Sequence, residues 1–373
     1  GAAGFIGSHS VERLLAQGQT VLGVDNFRTG RAENLSAVAT HPNFRLIRGD
    51  LLEQGFIPRL MAAEKPGAVL HLAALVSVPE SIAQPDLNRR LNFEVTRDLA
   101  RAAAREGTHR FVFASSAAVY GANPRLPLTE GEPGAPLSPY GEAKLAGERL
   151  LADLTAAHPG FTASALRYFN VYGPRQDPGS PYSGVISLFA AALRAGQTPT
   201  IFGDGWQTRD FVAVADVAHA NCLALAAPLH GMSVINVCRG RADSLRSLLR
   251  EMNALLECEI APHFAPARAG DIIHSLGSPD RAAALLGFCA DLDLRAGVER
   301  AVDDLARHHI LDLGAHEGTT LAGLDVLELD DAPELPVDAE DDAVLDVCGR
   351  CHALRVPFVC LRGRTRPTVD STG

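Results

Sequence analysis

The chain has 373 residues, of which 47% are hydrophobic and 21% charged, and a net charge of −10. That composition fits a globular protein of one large or two small domains with an ample core, and the acidic balance counts against nonspecific nucleic-acid binding. No long uncharged apolar run reads as a membrane span, and seven scattered cysteines fit a reducing, cytoplasmic setting better than a disulfide framework.

The first stretch, "GAAGFIGSH", spaces Gly1, Gly4 and Gly7 three apart and leads into a helical pattern over 7–18. Such a loop lets backbone approach a pyrophosphate, with the following helix N-terminus favouring the negative charge. Alone, the spacing describes a turn as well as a cofactor loop. Asp25 adds to it: it closes the run "TVLGVDN" (20–26), 18 residues after Gly7. A carboxylate there accepts hydrogen bonds from a ribose and repels a 2′-phosphate, which selects NAD over NADP; the other reading is a turn residue. Such a loop normally follows a buried strand, and none precedes Gly1. The expectation is that the gene continues upstream by roughly 5–10 residues, mostly Val, Ile and Leu. The sheet should then show a gap between the strands at 20–25 and 69–73.

Further short apolar runs follow: "FRLIRGD" (44–50), "AVLHLAA" (68–74), "RFVFASS" (110–116) and "TASALRYFN" (162–170). Helical spacing covers 86–106 and 139–158 between them. Buried strands alternating with helices predict an α/β fold with a Rossmann-like, doubly wound parallel sheet. The NAD-binding domain is placed at 1–169, with a returning segment at about 208–238. A smaller α/β substrate lobe is placed at 170–305.

Within the helix over 139–158, Tyr140 and Lys144 are i,i+4 neighbours, and Lys144 is one of only two lysines. A nearby ammonium is expected to pull the phenol below its free pKa of about 10 and make it a base. Ser116, ending a strand, could share a proton with that phenol. An exposed helix pair is the plainer reading of Tyr140 and Lys144 without Ser116.

The motifs "GAAGFIGSH", "VDNFRTG", "HLAALVSVPES", "SSAAVYG", "SPYGEAKLAGE", "LRYFNVYGPRQDP", "IFGDGWQTRDFV" and "RAGDIIHS" together resemble the extended short-chain dehydrogenase/reductases, specifically the nucleotide-sugar 4-epimerases, over residues 1 to about 305. The resemblance implies a triad of Ser116, Tyr140 and Lys144. It implies NAD contacts from Gly1, Gly4, Phe5, Ile6, Gly7, Asp25 and Asn26, then from Asp50, Leu51, Ala73, Ala74 and Asn92, with Lys144 also on the cofactor and Tyr168 behind the nicotinamide. Asn170, Arg209 and Arg268 would hold the substrate diphosphate; Ser77, Val185 and Asp271 would line the same pocket. Ile201 and Phe202 would face the uracil. The activity implied is NAD-dependent 4-epimerisation of a UDP-sugar through a 4-keto intermediate, by a homodimer pairing the helices at 86–106 and 139–158. A UDP-glucuronate epimerase and an inactive NAD-binding protein stand as alternatives. In similar epimerases the seventh residue after the second diphosphate arginine flanks the sugar; here it is Ser275, small enough to admit an N-acetyl group. Val76 stands where glucose-restricted relatives often have Lys. Ala117 and Ala118 replace the Asp-Glu of the 4,6-dehydratases, so no acid is placed to expel water. Val95 stands where many relatives have Gly, which crowds the neighbouring helix.

Residues 306–373 carry 13 acidic and 6 basic side chains, and ten acidic residues fall between Asp325 and Asp346 without one basic residue. The stretch reads as a solvated, weakly ordered appendage beyond a break near 306–310. Its Cys348, Cys351, His352 and Cys360 have poor spacing for zinc, so no metal is expected. A non-native extension is a further reading of "LRGRTRPTVDSTG".

Overall fold

The computed structural model of the protein describes residues 1–177, 184–268, 271–312 and 326–327, with backbone alone for 306–312 and 326–327. Helix α1 (Phe5–Ala16) leaves the glycine loop. Strands β1 (Val21–Asp25) and β2 (Phe44–Arg48), helix α2 (Phe56–Glu64) and strand β3 (Ala68–His71) follow. The single helix expected over 86–106 is broken instead. It comprises α4 (Pro85–Arg89), a π-helical turn over Arg90–Glu94 and α5 (Val95–Arg105), preceded by the short α3 (Val78–Ala83). The π turn carries Asn92, whose tertiary hydrogen bonds compete with regular helical geometry there. Val95, just after the widened turn, is buried beside Leu99 in the core rather than crowding a helix.

Strand β4 (Arg110–Ser116) and helix α6 (Pro139–Ala157) come next. The start of α6 is fixed by Ser138, whose hydroxyl accepts from the Gly141 N–H at 3.2 Å, and by Pro139 in the first turn. Strand β5 (Thr162–Tyr168) is buried at every residue. The rest of the chain forms β6 (Asn170–Tyr172), α7 (Val185–Arg194), β7 (Thr200–Phe202), β8 (Thr208–Arg209), β9 (Phe211–Ala213), α8 (Val214–Ala226) and β10 (Met232–Val237). Then come β11 (Asp243–Ser244), α9 (Leu245–Leu255), β12 (His263–Ala265), α10 (Asp280–Leu286), α11 (Leu294–Asp312) and β13 (Val326–Leu327).

The parallel strands lie in two groups, β10-β5-β4-β3 and β1-β2-β13. Among the described residues no strand joins β1 to β3, so the expected gap is present. Val24, Leu22, Val69 and Leu70 line it, and Gly1 and Ala2 close one end by donating to the Val24 carbonyl. Helices α1 and α8 bury one sheet face, with Val11, Leu14, Val112, Val217 and Ile235 in one core. Helices α2, α5 and α6 bury the other through Leu60, Leu99, Phe111, Phe113 and Leu151. A third core, around Tyr172, Phe189, Ile201, Phe211, Leu248 and Val298, builds the second lobe.

Helix α11 runs to Asp312, straight through the break expected near 306–310, and Val326–Leu327 pair with β2. The four Cys and His positions of the tail lie outside the described residues. No described helix is long and apolar enough to cross a membrane.

Candidate active site

The carboxyl ends of β1, β3, β4 and β5 converge on the side where a doubly wound sheet binds its ligands. The glycine loop lies there, packed at van der Waals limits. A Cβ on Gly7 would sit 1.9 Å from the Gly1 carbonyl oxygen, and one on Gly1 would sit 2.7 Å from the Ala73 nitrogen. A Cβ on Gly4, by contrast, meets only the Gly1 oxygen at 3.4 Å. Gly4 caps α1 without a side-chain bond, and no acidic residue occupies the first turn. The opening amides of α1, at Phe5, Ile6 and Gly7, therefore present partial positive charge to an open cradle. This suits a pyrophosphate, so the loop fits a dinucleotide.

Asp25 is 6% exposed, and its oxygens accept from the Ala3 and Phe27 N–H groups at 2.9 and 2.8 Å. The turn reading of Asp25 is what these bonds show, and its remaining lone pairs sit at the end of β1. Asn26 donates to Asp50 at 3.1 Å, and Asp50 accepts from the Leu52 N–H at 2.8 Å. Leu51 lies between these tied backbones. The two side chains edge a polar pocket of about 440 Å³ that also takes in Arg48, Gly49, Glu53 and Phe56.

Asn92 does not face the cleft. It is 1% exposed, and its amide bonds the Leu75 N–H and carbonyl at 2.9 and 2.8 Å, and Asn88 at 2.7 Å. Its role is to hold the loop carrying Ala73 and Ala74. Ser77 is likewise taken up, capping α3 by accepting from the Glu80 N–H at 2.9 Å, with 3% of its surface exposed. Ile201 points into the core of the second lobe, leaving Phe202 as the ring that faces outward.

The triad residues do come together. Ser116 ends β4, and its hydroxyl accepts from the Ala118 N–H at 3.2 Å and hydrogen-bonds the Tyr140 phenol. Lys144 is 2% exposed, with Nζ 4.8 Å from the Phe113 ring centroid and 5.7 Å from that of Tyr140. The expected depression of the phenol pKa is not found. Burial raises it, opposed by the Ser116 bond. Lys144 itself is lowered by burial to about 7, so it carries only part of its charge at neutral pH. Burial raises the Tyr168 phenol, with a smaller contribution from the charge of Tyr140, and it donates to Asn221 at 2.6 Å. Asn221 in turn donates to Ser10 of α1 at 3.0 Å.

In the second lobe Arg209 reaches Asp271 at 3.1 Å and the Thr208 carbonyl at 2.9 Å. The adjacent Asp210 is not its partner. Asp210 is fully buried and accepts from the Arg239, Gly240 and Gly277 N–H groups. Arg268 is exposed and stacks with Cζ 3.8 Å from the Phe202 ring centroid. Asn170 is exposed at the start of β6, and Val185 opens α7. Ser275 is 8% exposed, and its N–H donates to the Thr208 carbonyl at 3.1 Å. Arg209, Asp271 and Ser275 thus stand on adjoining segments.

A model of the NAD-dependent epimerase/dehydratase family matches residues 1–238. The chain belongs to that family. It is 39% identical to a UDP-glucose 4-epimerase of Mycolicibacterium smegmatis over 310 residues, which span 81% of this chain and 96% of that one. Its fold superposes on a UDP-N-acetylglucosamine 4-epimerase from Methanobrevibacter ruminantium, solved with UDP-N-acetylmuramic acid, with a TM-score of 0.78 and 36% identity, covering 82% of this chain and 96% of that one. A Thermus thermophilus UDP-glucose 4-epimerase complexed with NAD gives a TM-score of 0.75 and 34% identity, covering 82% and 97%. Two features of the site's surroundings went unread in the sequence. Glu148 lies one turn beyond Lys144 and is bound to Arg167, and Asn221 anchors Tyr168. The i,i+4 step from Lys144 to Glu148 was a usable signal; the partner across the sheet was not.

Proposed function

We propose that this epimerase-family chain interconverts UDP-sugars at C4, with NAD as a bound prosthetic group, and that N-acetylated sugars are among its substrates. The observation that carries the reading is the cluster of half-buried Ser116 and Tyr140 with buried Lys144 at the strand ends, beside a phosphate cradle. The glycine loop and first turn of α1 would hold the pyrophosphate, Asp25 the adenosine ribose, and Lys144 the second ribose. NAD held there would supply the hydride acceptor and donor for the sugar carbon.

Tyr140, as phenolate, takes the proton of the sugar 4-hydroxyl, with the Ser116 hydroxyl bridging the two oxygens. It returns that proton to the 4-keto sugar once the ring has turned over. The Ser116 hydrogen bond opposes the burial that favours the neutral phenol. Arg209 and Arg268 hold the diphosphate while the sugar turns, and Phe202 stacks on the uracil from beneath Arg268. Ala117 and Ala118 offer no acid to expel water, and Glu148 is locked away by Arg167, which favours epimerisation over dehydration. Ser275 leaves room for an N-acetyl group.

The division at about residue 169, with a returning segment at 208–238, belongs to this reading. So does a cytoplasmic homodimer. Val95 and Leu99 face their own core and Leu145 packs on another, so the pairing surface falls to the half-buried Leu91 and Leu150. The decisive experiment incubates the protein with UDP-galactose, UDP-N-acetylgalactosamine and UDP-glucuronate and separates the products. Turnover of the first two supports the reading. Bound NAD with no turnover of any of the three would favour an inactive cofactor-binding protein.

A further inference from the structure

Behind the triad lies a buried charged cluster that the reaction scheme does not use. Tyr140, Lys144 and Glu148 stand at i, i+4 and i+8 of α6, on one face. Glu148 Oε1 accepts from the Ser115 hydroxyl at 2.5 Å and from Arg167 Nε at 2.9 Å, while Oε2 accepts from Arg167 Nη2 at 2.6 Å. Both charged side chains are 5% exposed. The Arg167 guanidinium lies 4.6 Å over the Tyr120 ring, and the Tyr120 phenol donates to Asn236 at 2.6 Å.

The placement of these partners gives the cluster its meaning. Register pairs Ser115 with Arg167 and Ser116 with Tyr168 across β4 and β5. Ser115 therefore precedes the triad serine, and Arg167 precedes the tyrosine facing Tyr140. One carboxylate on the helix that carries Tyr140 and Lys144 grips the neighbour of each. The helix is also seated without slack: a Cβ on Gly147 would lie 2.9 Å from the Phe113 ring, and one on Gly141 would lie 2.8 Å from the Ala118 carbonyl oxygen. A buried ion pair is weak support for stability, because well-packed apolar residues often do as well. A planar two-point fork does something they cannot: it fixes the rotation and height of a helix.

We propose that Glu148 is a positioning residue for epimerisation, its fork to Arg167 and bond to Ser115 setting the height of α6 and so the reach of the Tyr140 phenol to Ser116. The inference rests on the reading of Tyr140 as the base.

The test is the double variant Glu148→Leu/Arg167→Met, which removes both charges together and strands neither. NAD-loaded enzyme is assayed with UDP-galactose and UDP-N-acetylgalactosamine, and kcat is expressed per bound NAD. The double variant is expected to keep NAD and a KM within about threefold, while kcat falls about 10- to 100-fold, the scale of a misplacement near 1 Å. The acid limb of kcat against pH should move to higher pH, because a displaced phenol loses the Ser116 bond that opposes burial. A role in stability alone would lower the yield of folded enzyme and leave kcat and its pH profile in place; that result overturns the proposal. Should the double variant fail to fold, Ser115→Ala keeps the ion pair and loses one grip. It should cost about fivefold in kcat, the rate equivalent of one hydrogen bond, and an unchanged kcat again overturns the proposal. Tyr140→Phe separates the two layers. Near-normal activity in Tyr140→Phe sinks the base assignment and the positioning role with it; wild-type kcat in the cluster variants beside a dead Tyr140→Phe sinks the positioning role alone.

Discussion

Replacing Lys144 with Met should stabilise the NAD-free protein while destroying its activity. Lys144 is 2% exposed, and burial lowers its pKa from 10.5 to about 7. The folded value lies below the unfolded one, so between them the unfolded chain holds a proton that the folded chain gives up. Stability therefore rises as pH climbs from about 7 toward 10.5. At about 1.4 kcal/mol per pKa unit, the buried ammonium costs the fold about 4 kcal/mol at pH 7 and about 2 kcal/mol at pH 9. The Phe113 ring, 4.8 Å from Nζ, offsets only a small part of this. Met matches the length of the aliphatic stem and carries no charge. Thermal melts of NAD-free wild type and Lys144→Met at pH 6, 7 and 9 should show the variant several degrees higher at the two lower values, the difference shrinking at pH 9. A wild type that melts at or above the variant at pH 7, or a difference that does not narrow with pH, would refute the argument.

Three other outcomes are expected. Tyr140→Phe should abolish epimerisation with NAD still bound, and Ser116→Ala should lose roughly 10²- to 10⁴-fold in kcat, measured by separation of UDP-glucose from UDP-galactose. Asn92→Ala strands the Leu75 N–H and carbonyl; it should cost about 2–4 kcal/mol in denaturant melts and lower the NAD content of purified protein. Ser275→Tyr should suppress turnover of UDP-N-acetylgalactosamine while sparing UDP-galactose, since a clash removes more binding than an added contact supplies. Equal effects on both substrates would move the size limit to another side chain.

What the sequence revealed was local. Tyr140 and Lys144 were legible because a helix places i and i+4 together, and Ser116 because it ends an apolar run. Ser77 carried a local signal that the family resemblance overrode: Ser-Val-Pro-Glu has the spacing of a helix cap, and the hydroxyl is spent there. The alternation of β7 likewise separates Ile201 from Phe202, because neighbours in a strand face opposite ways. The π turn over Arg90–Glu94 could not be read, since bonds from Asn92 to Leu75, 17 residues back, produce it. Strand β10 was hidden inside a loop-rich stretch and is defined only by its partner β5. The gap between β1 and β3 was legible because a glycine loop of this kind points to one particular place in the sheet.

The buried charges divide by what surrounds them, and the division separates scaffold from chemistry. Asp210 is fully buried; burial pushes its pKa up to about 6, and three backbone N–H groups hold it against that, pinning the turns at Arg239 and Gly277 beside the substrate lobe. Glu148 and Arg167 pair with each other: burial works against the guanidinium, and the bonds and charge of Glu148 outweigh it, raising the Arg167 pKa above its ordinary value. Lys144, by contrast with these, has burial as the only force moving its pKa, with no carboxylate among the causes. A scaffold charge is retained because its partners repay it. An ammonium held at a cost in the free protein is retained because something absent from the free protein repays it. On the proposed reading of the site, ribose hydroxyls and a developing phenolate would supply that repayment.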